Sequence, residues 1–156
     1  VKQNKNNNPI TITDPNMTRY LMSLDESVDL VMHAFIKGLQ GDIFVQKSPA
    51  CTLQDLATAL KKIFNFKKDN YIIGTRHGEK LYESLLSREE MARVDDHGKF
   101  FRLPSDNRSL NYEKFFKEGK EINTESKEYT SHNTRRLKVE EIQEILLNLD
   151  FIKDSL

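Results

Sequence analysis

Three stretches of this 156-residue chain set charged or hydroxyl side chains beside backbone breaks, where small-ligand chemistry is usually found. The first is Thr13-Asp14-Pro15-Asn16-Met17-Thr18-Arg19-Tyr20. Arg19 can present a planar guanidinium to a phosphate in a paired geometry that a lysine cannot match, with Met17 and Tyr20 as apolar walls. The bland alternative is a turn followed by a solvated arginine. The second is Gly74-Thr75-Arg76-His77-Gly78-Glu79-Lys80-Leu81-Tyr82-Glu83. Its two glycines permit unusual backbone angles around Arg76, and the Glu79 carboxylate can accept from sugar hydroxyls. Arginine and glutamate in one glycine-bounded loop suit a ligand that carries both phosphate and ribose; a surface salt-bridge network is the rival, and His77 is then an ordinary loop histidine. The third is Tyr129-Thr130-Ser131-His132-Asn133-Thr134-Arg135-Arg136, for which the preferred reading is that Asn133 or Thr134 caps the following helix and the arginines are solvated.

Other chemistries lack their residues. The six glycines form neither G-x-x-G-x-x-G nor G-x-G-x-x-G, the turns that bring a dinucleotide pyrophosphate to a helix amino terminus. Tyr20, Tyr71, Tyr82, Tyr112 and Tyr129 are followed four residues later by Leu24, Thr75, Leu86, Phe116 and Asn133, so Tyr-x-x-x-Lys does not occur. His33, His77, His97 and His132 lack metal-ligand spacing, and no metal site is expected. Cys51 is the only cysteine, which excludes an internal disulfide and fits a reducing, cytoplasmic setting.

The elements that position these loops follow from periodicity. Pro9 to Thr13 and Thr18 to Met22 read as short extended stretches. Ser23-Leu24-Asp25-Glu26 is a capping box, followed by Val28, Val31, Met32, Phe35 and Leu39 on one face, which predicts a half-buried helix ending at Gly38 to Gly41. A strand over 42–47 comes next, then a helix capped by Thr52 with Leu53, Leu56, Ala57, Leu60, Ile63 and Phe64 on its apolar side, then a strand over 70–74. This alternation argues for an α/β arrangement, although three short strands do not reveal their order. Lys80 to Leu86 can open a short helix, Ser87 to Glu90 caps a brief one, and Phe100 to Leu103 is extended. Residues 104–134 are polar and too long for an idle loop, so they read as an arm or lid. A last helix from about Lys138 to Leu149 buries Val139, Ile142, Ile145, Leu146 and Leu149.

Composition bounds the partners. Lys plus Arg and Asp plus Glu each number 24, so zero net charge provides no field toward nucleic acid or an anionic membrane. No apolar run approaches the ~18 to 20 residues of a bilayer span, and the first eight residues, Val-Lys-Gln-Asn-Lys-Asn-Asn-Asn, do not read as a signal peptide. Val1 suggests a first residue inside a longer chain, although a processed or alternative start would look the same.

The segments Ile10 to Tyr20, Gly41 to Lys47 and Gly74 to Glu83, continued by Arg102 to Arg108, Ser131 to Leu137 and Leu149 to Ile152, resemble in order the bacterial capsule and O-antigen UDP-sugar enzymes. These are extended short-chain dehydrogenase/reductases that include UDP-N-acetylglucosamine 4,6-dehydratases. The chain is most similar to the carboxy-terminal part of the branch that inverts carbon 5, some members of which carry a UDP-glucose 4-epimerase label.

The resemblance implies a small α/β substrate-binding domain without its Rossmann half. Residues 1–103 would form the UDP-sugar-binding segment, 104–137 the irregular arm, and 138–156 a helix and tail packed on the same domain. In the family, the Arg of D-P-x-M-T-R and the Arg and Glu of R-x-G-E-K grip pyrophosphate and ribose, roles that fall on Arg19, Arg76 and Glu79. NADP or NAD, the catalytic Tyr and Lys, and a homo-oligomeric assembly would belong to the whole enzyme. This chain alone is then expected to hold no cofactor and to be inactive, as a nucleotide-sugar-binding part in surface polysaccharide synthesis. A non-catalytic interaction or structural piece is the reading of another class.

Overall fold

In the computed structural model, residues 2–105 and 126–156 are described. They divide into two compact units, Val1–Ser23 with Ser48–Glu83 and Ser131–Leu156, and Leu24–Lys47 with Ser84–Thr130. Each unit is assembled from stretches far apart in sequence. Most of the expected arm, residues 106–125, lies outside the described residues.

The first unit holds α1 (Lys2–Lys5), β1 (Thr11–Ile12), β2 (Thr18–Tyr20), β4 (Ala50–Thr52), α3 (Leu53–Ile63), β5 (Tyr71–Ile72), α5 (Val139–Leu147) and α6 (Asp150–Lys153). β1 and β5 pair in parallel, Thr11 with Tyr71 and Ile12 with Ile72. A parallel pair needs a crossover, and α3 supplies it by packing on β1. Thr52 caps α3 as its sequence predicts, its hydroxyl accepting from Asp55 N at 2.9 Å. β4 was not legible in the sequence, because Ser48-Pro49 reads as a break. It is held by its neighbours: antiparallel β2 on one side, with Arg19 opposite Cys51, and residues 135–137 on the other, where Leu137 N donates to Ala50 O at 2.9 Å.

The core of this unit is Cys51, Ala59, Leu137 and Ile142, with Leu21, Leu56, Val139, Ile145 and Leu146 packed against it. α3 and α5 face one another across it. The last helical pattern breaks at Asn148, and α6 follows; Leu149, predicted to be buried, is exposed. The cap of α5 is Lys138, whose N–H donates to the Glu141 carboxylate at 2.8 Å, so neither Asn133 nor Thr134 caps it. Thr134 donates instead to Ser48 O at 2.9 Å.

The second unit contains α2 (Leu24–Lys37), β3 (Ile43–Gln46), β6 (Ser84–Leu86), α4 (Arg88–Met91), β7 (Asp95–Asp96), β8 (Phe100–Leu103) and β9 (Tyr129–Thr130). β3, β8 and β7 form an antiparallel sheet in that order. The predicted strand–helix–strand–helix–strand series therefore serves two sheets: its outer strands pair with each other, and its middle strand pairs with β8. Residues 84–86 are a strand paired with β9, which corrects the helix expected over 80–86. The capping box at Ser87 forms as its sequence predicts, with Glu90 N donating to Ser87 Oγ and Ser87 N to the Glu90 carboxylate.

Asp42 ties this unit together. Its Oδ2 accepts from Arg102 Nε at 2.7 Å and Leu39 N at 2.8 Å, and its Oδ1 accepts from Ser105 N at 3.3 Å. The Arg102 hydrogen bond, with the Leu39 amide, holds its carboxyl below the ordinary value. His33 sits in an aromatic cluster with Phe44, His97 and Phe100, its ring 4.5 Å from that of Phe100.

α2 departs most from expectation. Leu30, His33 and Ala34 are partly covered, but Leu24, Val28, Val31, Met32, Phe35 and Ile36 are exposed, Phe35 at 86%. A helix that is apolar on both faces is ordinarily buried on both. No helix among the described residues is long and apolar enough to cross a membrane.

Two substitutions separate core from uncovered face. Ile142→Ala should destabilise the chain by about 2–5 kcal/mol in urea unfolding, because Ile142 is fully buried between α3 and α5. Phe35→Ser should change stability by no more than about 0.5 kcal/mol while reducing self-association in sedimentation.

Candidate functional site

The first two sequence clusters meet in the first unit. β2 places Arg19 against the loop after β5, where backbone carbonyls hold its guanidinium: Nη1 donates to Thr18 O at 2.8 Å and Nη2 to Lys80 O at 2.9 Å. Two carboxylates stand beside it, Glu83 at 3.6 Å from Nε and Glu79 at 4.0 Å from Nη2. Glu79 also closes the Arg76 turn, its Oε2 accepting from Arg76 N at 3.1 Å while its own N–H donates to Arg76 O at 3.0 Å. Gly74 and Gly78 bracket this turn with φ of 79° each, a left-handed backbone that a side chain would strain. Glu79 thus links the two arginine-bearing loops.

Arg76 and Glu79 stand at the edge of a groove of about 380 Å³, whose apolar lining includes Ile10, Ile12, Leu56, Leu60 and Ile73. The stripe on α3 is therefore shared: Leu56 packs against the core and also lines the groove. Thr11, Thr13, Arg76 and Glu79 share the lining with these apolar residues, which suits a ligand with a charged part and a flat or apolar part.

Met17 is wholly buried, so it supports the loop from beneath instead of lining a ligand surface as its sequence position suggests; its thioether accepts from Thr13 Oγ1 at 3.1 Å. Tyr20 is partly buried and pairs with Ala50 across the strands. The third cluster was expected to be a helix cap with solvated arginines; Arg135 and Arg136 are exposed, but Ser131 and His132 join the first cluster. Thr18 Oγ1 lies 2.8 Å from both Ser131 Oγ and His132 Nδ1, the His132 ring stacks 5.0 Å from that of Tyr82, and Arg136 donates to His132 O. Arg135 pairs with Glu141. More than a hundred residues separate Thr18 from Ser131, so no local pattern could have revealed the contact. Glu83 was also missed as a neighbour of Arg19.

Among the described residues, no group of His, Cys, Asp and Glu could hold a metal ion. Among the described residues, the glycines with positive φ stand singly in loops, and α2 and α3 begin after Ser23 and Thr52 with no glycine turn.

Residues 1–105 match the family described as polysaccharide biosynthesis protein, and residues 106–153 match its carboxy-terminal counterpart. The chain belongs to the polysaccharide biosynthesis protein family. It is 57% identical to a UDP-glucose 4-epimerase of Rickettsia bellii and 56% identical to one of Rickettsia felis, over 156 residues, all of this chain but 46% of each relative. It also superposes on Pen from Bacillus thuringiensis with a TM-score of 0.75 at 26% identity, covering 95% of this chain and 42% of that one. The chain thus spans about half the length of the relatives it matches, in line with the expected carboxy-terminal piece of a nucleotide-sugar enzyme.

Cys51, opposite Arg19 on β4, is excluded from this chemistry. Burial, with the Asp55 carboxylate adding to it, pushes its thiol up to about 11. Only the thiolate reacts, so the folded chain should resist a thiol reagent at pH 8 and react much faster in denaturant, with the native rate climbing steadily as pH rises toward 11.

Proposed function

We propose that this chain is the UDP-sugar-binding part of an extended short-chain dehydrogenase/reductase that acts in capsule, O-antigen or other surface polysaccharide synthesis. The observation that carries the reading is the Arg19 guanidinium beside Glu79, a residue that also closes the Arg76 turn and, with Arg76, lines a groove that has apolar walls. Arg19 and Arg76 would take the diphosphate and Glu79 the ribose, with the groove left for the flat base. A diphosphate approaching Arg19 would displace Glu83, the more exposed of its two acidic neighbours.

The whole enzyme we assign to UDP-N-acetylglucosamine 4,6-dehydration with inversion at carbon 5; the alternative is 4-epimerisation of UDP-glucose, the reaction in the names of the rickettsial relatives. Either reaction needs a redox cofactor and its binding half, which these residues do not provide. The uncovered face of α2 supports an amino-terminal polypeptide of this family as the missing partner, because the relatives carry roughly as much chain again beyond the matched part.

Calorimetric titration with UDP and UDP-N-acetylglucosamine tests the site. Arg19→Ala or Arg76→Ala should each weaken binding roughly 10- to 150-fold, the value of about 1.5–3 kcal/mol for a charge-assisted hydrogen bond. Glu83→Gln should tighten it by removing a competing carboxylate. A folded wild-type chain that binds neither nucleotide would overturn the reading. Mixed with the amino-terminal part of the Rickettsia bellii relative, the chain should convert UDP-N-acetylglucosamine to a 4-keto-6-deoxy sugar by NMR; exclusive conversion of UDP-glucose would favour the alternative.

A further inference from the structure

We propose that Ser131 and His132 are positioning residues that fix the direction of Arg19 through the two oxygens of Thr18. The argument rests on proton accounting in a buried cluster. Ser131 and Thr18 are almost fully buried, so each hydroxyl must find its partners within the protein. Ser131 Oγ donates to Thr18 O at 3.1 Å and accepts from Glu83 N at 3.0 Å. Its single proton is then used, and the 2.8 Å contact between the two hydroxyls must carry the proton of Thr18. In the arrangement that makes all four of these contacts hydrogen bonds, Thr18 Oγ1 has none left for His132, and the imidazole Nδ1 is the donor at 2.8 Å. In this arrangement Ser131 Oγ accepts twice and donates once, and Thr18 Oγ1 accepts from His132 and donates to Ser131; the reverse, with Ser131 donating to Thr18 Oγ1 and Thr18 to Nδ1, leaves Ser131 Oγ and Thr18 O unbonded at 3.1 Å.

The chain of donors ends on the group that holds the arginine. Thr18 O accepts from Ser131 Oγ and also from Arg19 Nη1 at 2.8 Å. The Ser131 backbone completes the link, its N–H donating to Glu83 O at 2.8 Å beside the carboxylate that faces Arg19 Nε. The order His132, Thr18, Ser131, Thr18 carbonyl, Arg19 therefore fixes His132 in the Nδ1–H form, the less common neutral tautomer of a free histidine, and turns a flexible arginine into a held one. Tyr82, stacked on the His132 ring, limits its rotation. None of these groups needs to touch a ligand.

The experiment compares His132→Ala, which loses the Nδ1–H donor, with His132→Asn, whose side-chain amide can replace it. Two-bond nitrogen–proton spectra of the wild-type chain with neutral histidines should show His132 protonated at Nδ1, and Arg19 should give a resolved, slowly exchanging Nε–H signal. His132→Ala should merge that signal with those of solvated arginines, and His132→Asn should keep it. Thr18→Val should abolish both signatures and Thr18→Ser retain them; circular dichroism checks that each variant is folded. In a second arm, which rests on the nucleotide reading above, UDP affinity should fall about tenfold in His132→Ala and recover in His132→Asn. An Nε2–H tautomer in the wild type, or an Arg19 signal unchanged in folded His132→Ala, would overturn the proposal. Absence of UDP binding alongside the expected spectra would overturn the nucleotide reading alone.

Discussion

A guanidinium gripped by backbone carbonyls is rigid only if the carbonyls are. Arg19 takes Thr18 O from its own strand and Lys80 O from the loop after β5, two segments that the chain brings together only after folding α3 between them. Antiparallel pairing with β4 holds the arginine's strand, and β4 in turn is covered by the core of Cys51, Ala59, Leu137 and Ile142. The core, the strand pair and the arginine are thus one mechanical series. Disturbing α5 should be felt at the site, although α5 carries none of its side chains.

Electrostatics refine this arrangement without dominating it. With zero net charge, the chain attracts anions only where positive groups are concentrated, and Glu79 stands beside the Arg19 guanidinium while it accepts from the Arg76 backbone amide. Glu79 and Glu83 compensate the arginines when no ligand is present, and a dianionic diphosphate can outcompete a partly exposed carboxylate.

Much of the local structure was legible because its signals are local. The caps at Thr52 and Ser87, the stripe of α3 and the glycines around Arg76 each depend on residues within one or two turns. What was not legible depends on distant segments. β4 exists because β2 and residues 135–137 flank it, 84–86 is a strand because β9 lies beside it, and Ser131 joins the site because Thr18 has a buried hydroxyl to satisfy. Met17 was misjudged for a similar reason, since loop position alone does not distinguish a residue above the backbone from one beneath it. The α2 stripe was read correctly as apolar but not as uncovered: amphipathicity predicts that a face will be buried, not which polypeptide buries it.

A crystal structure of the chain soaked with UDP tests the central claim most directly. The account predicts the diphosphate within hydrogen-bond distance of Arg19 and Arg76, the ribose on Glu79 and the base over the groove lined by Ile12 and Leu56, with Glu83 displaced. UDP bound elsewhere with these residues unmoved, or a fully accessible groove left empty at millimolar nucleotide, would contradict it.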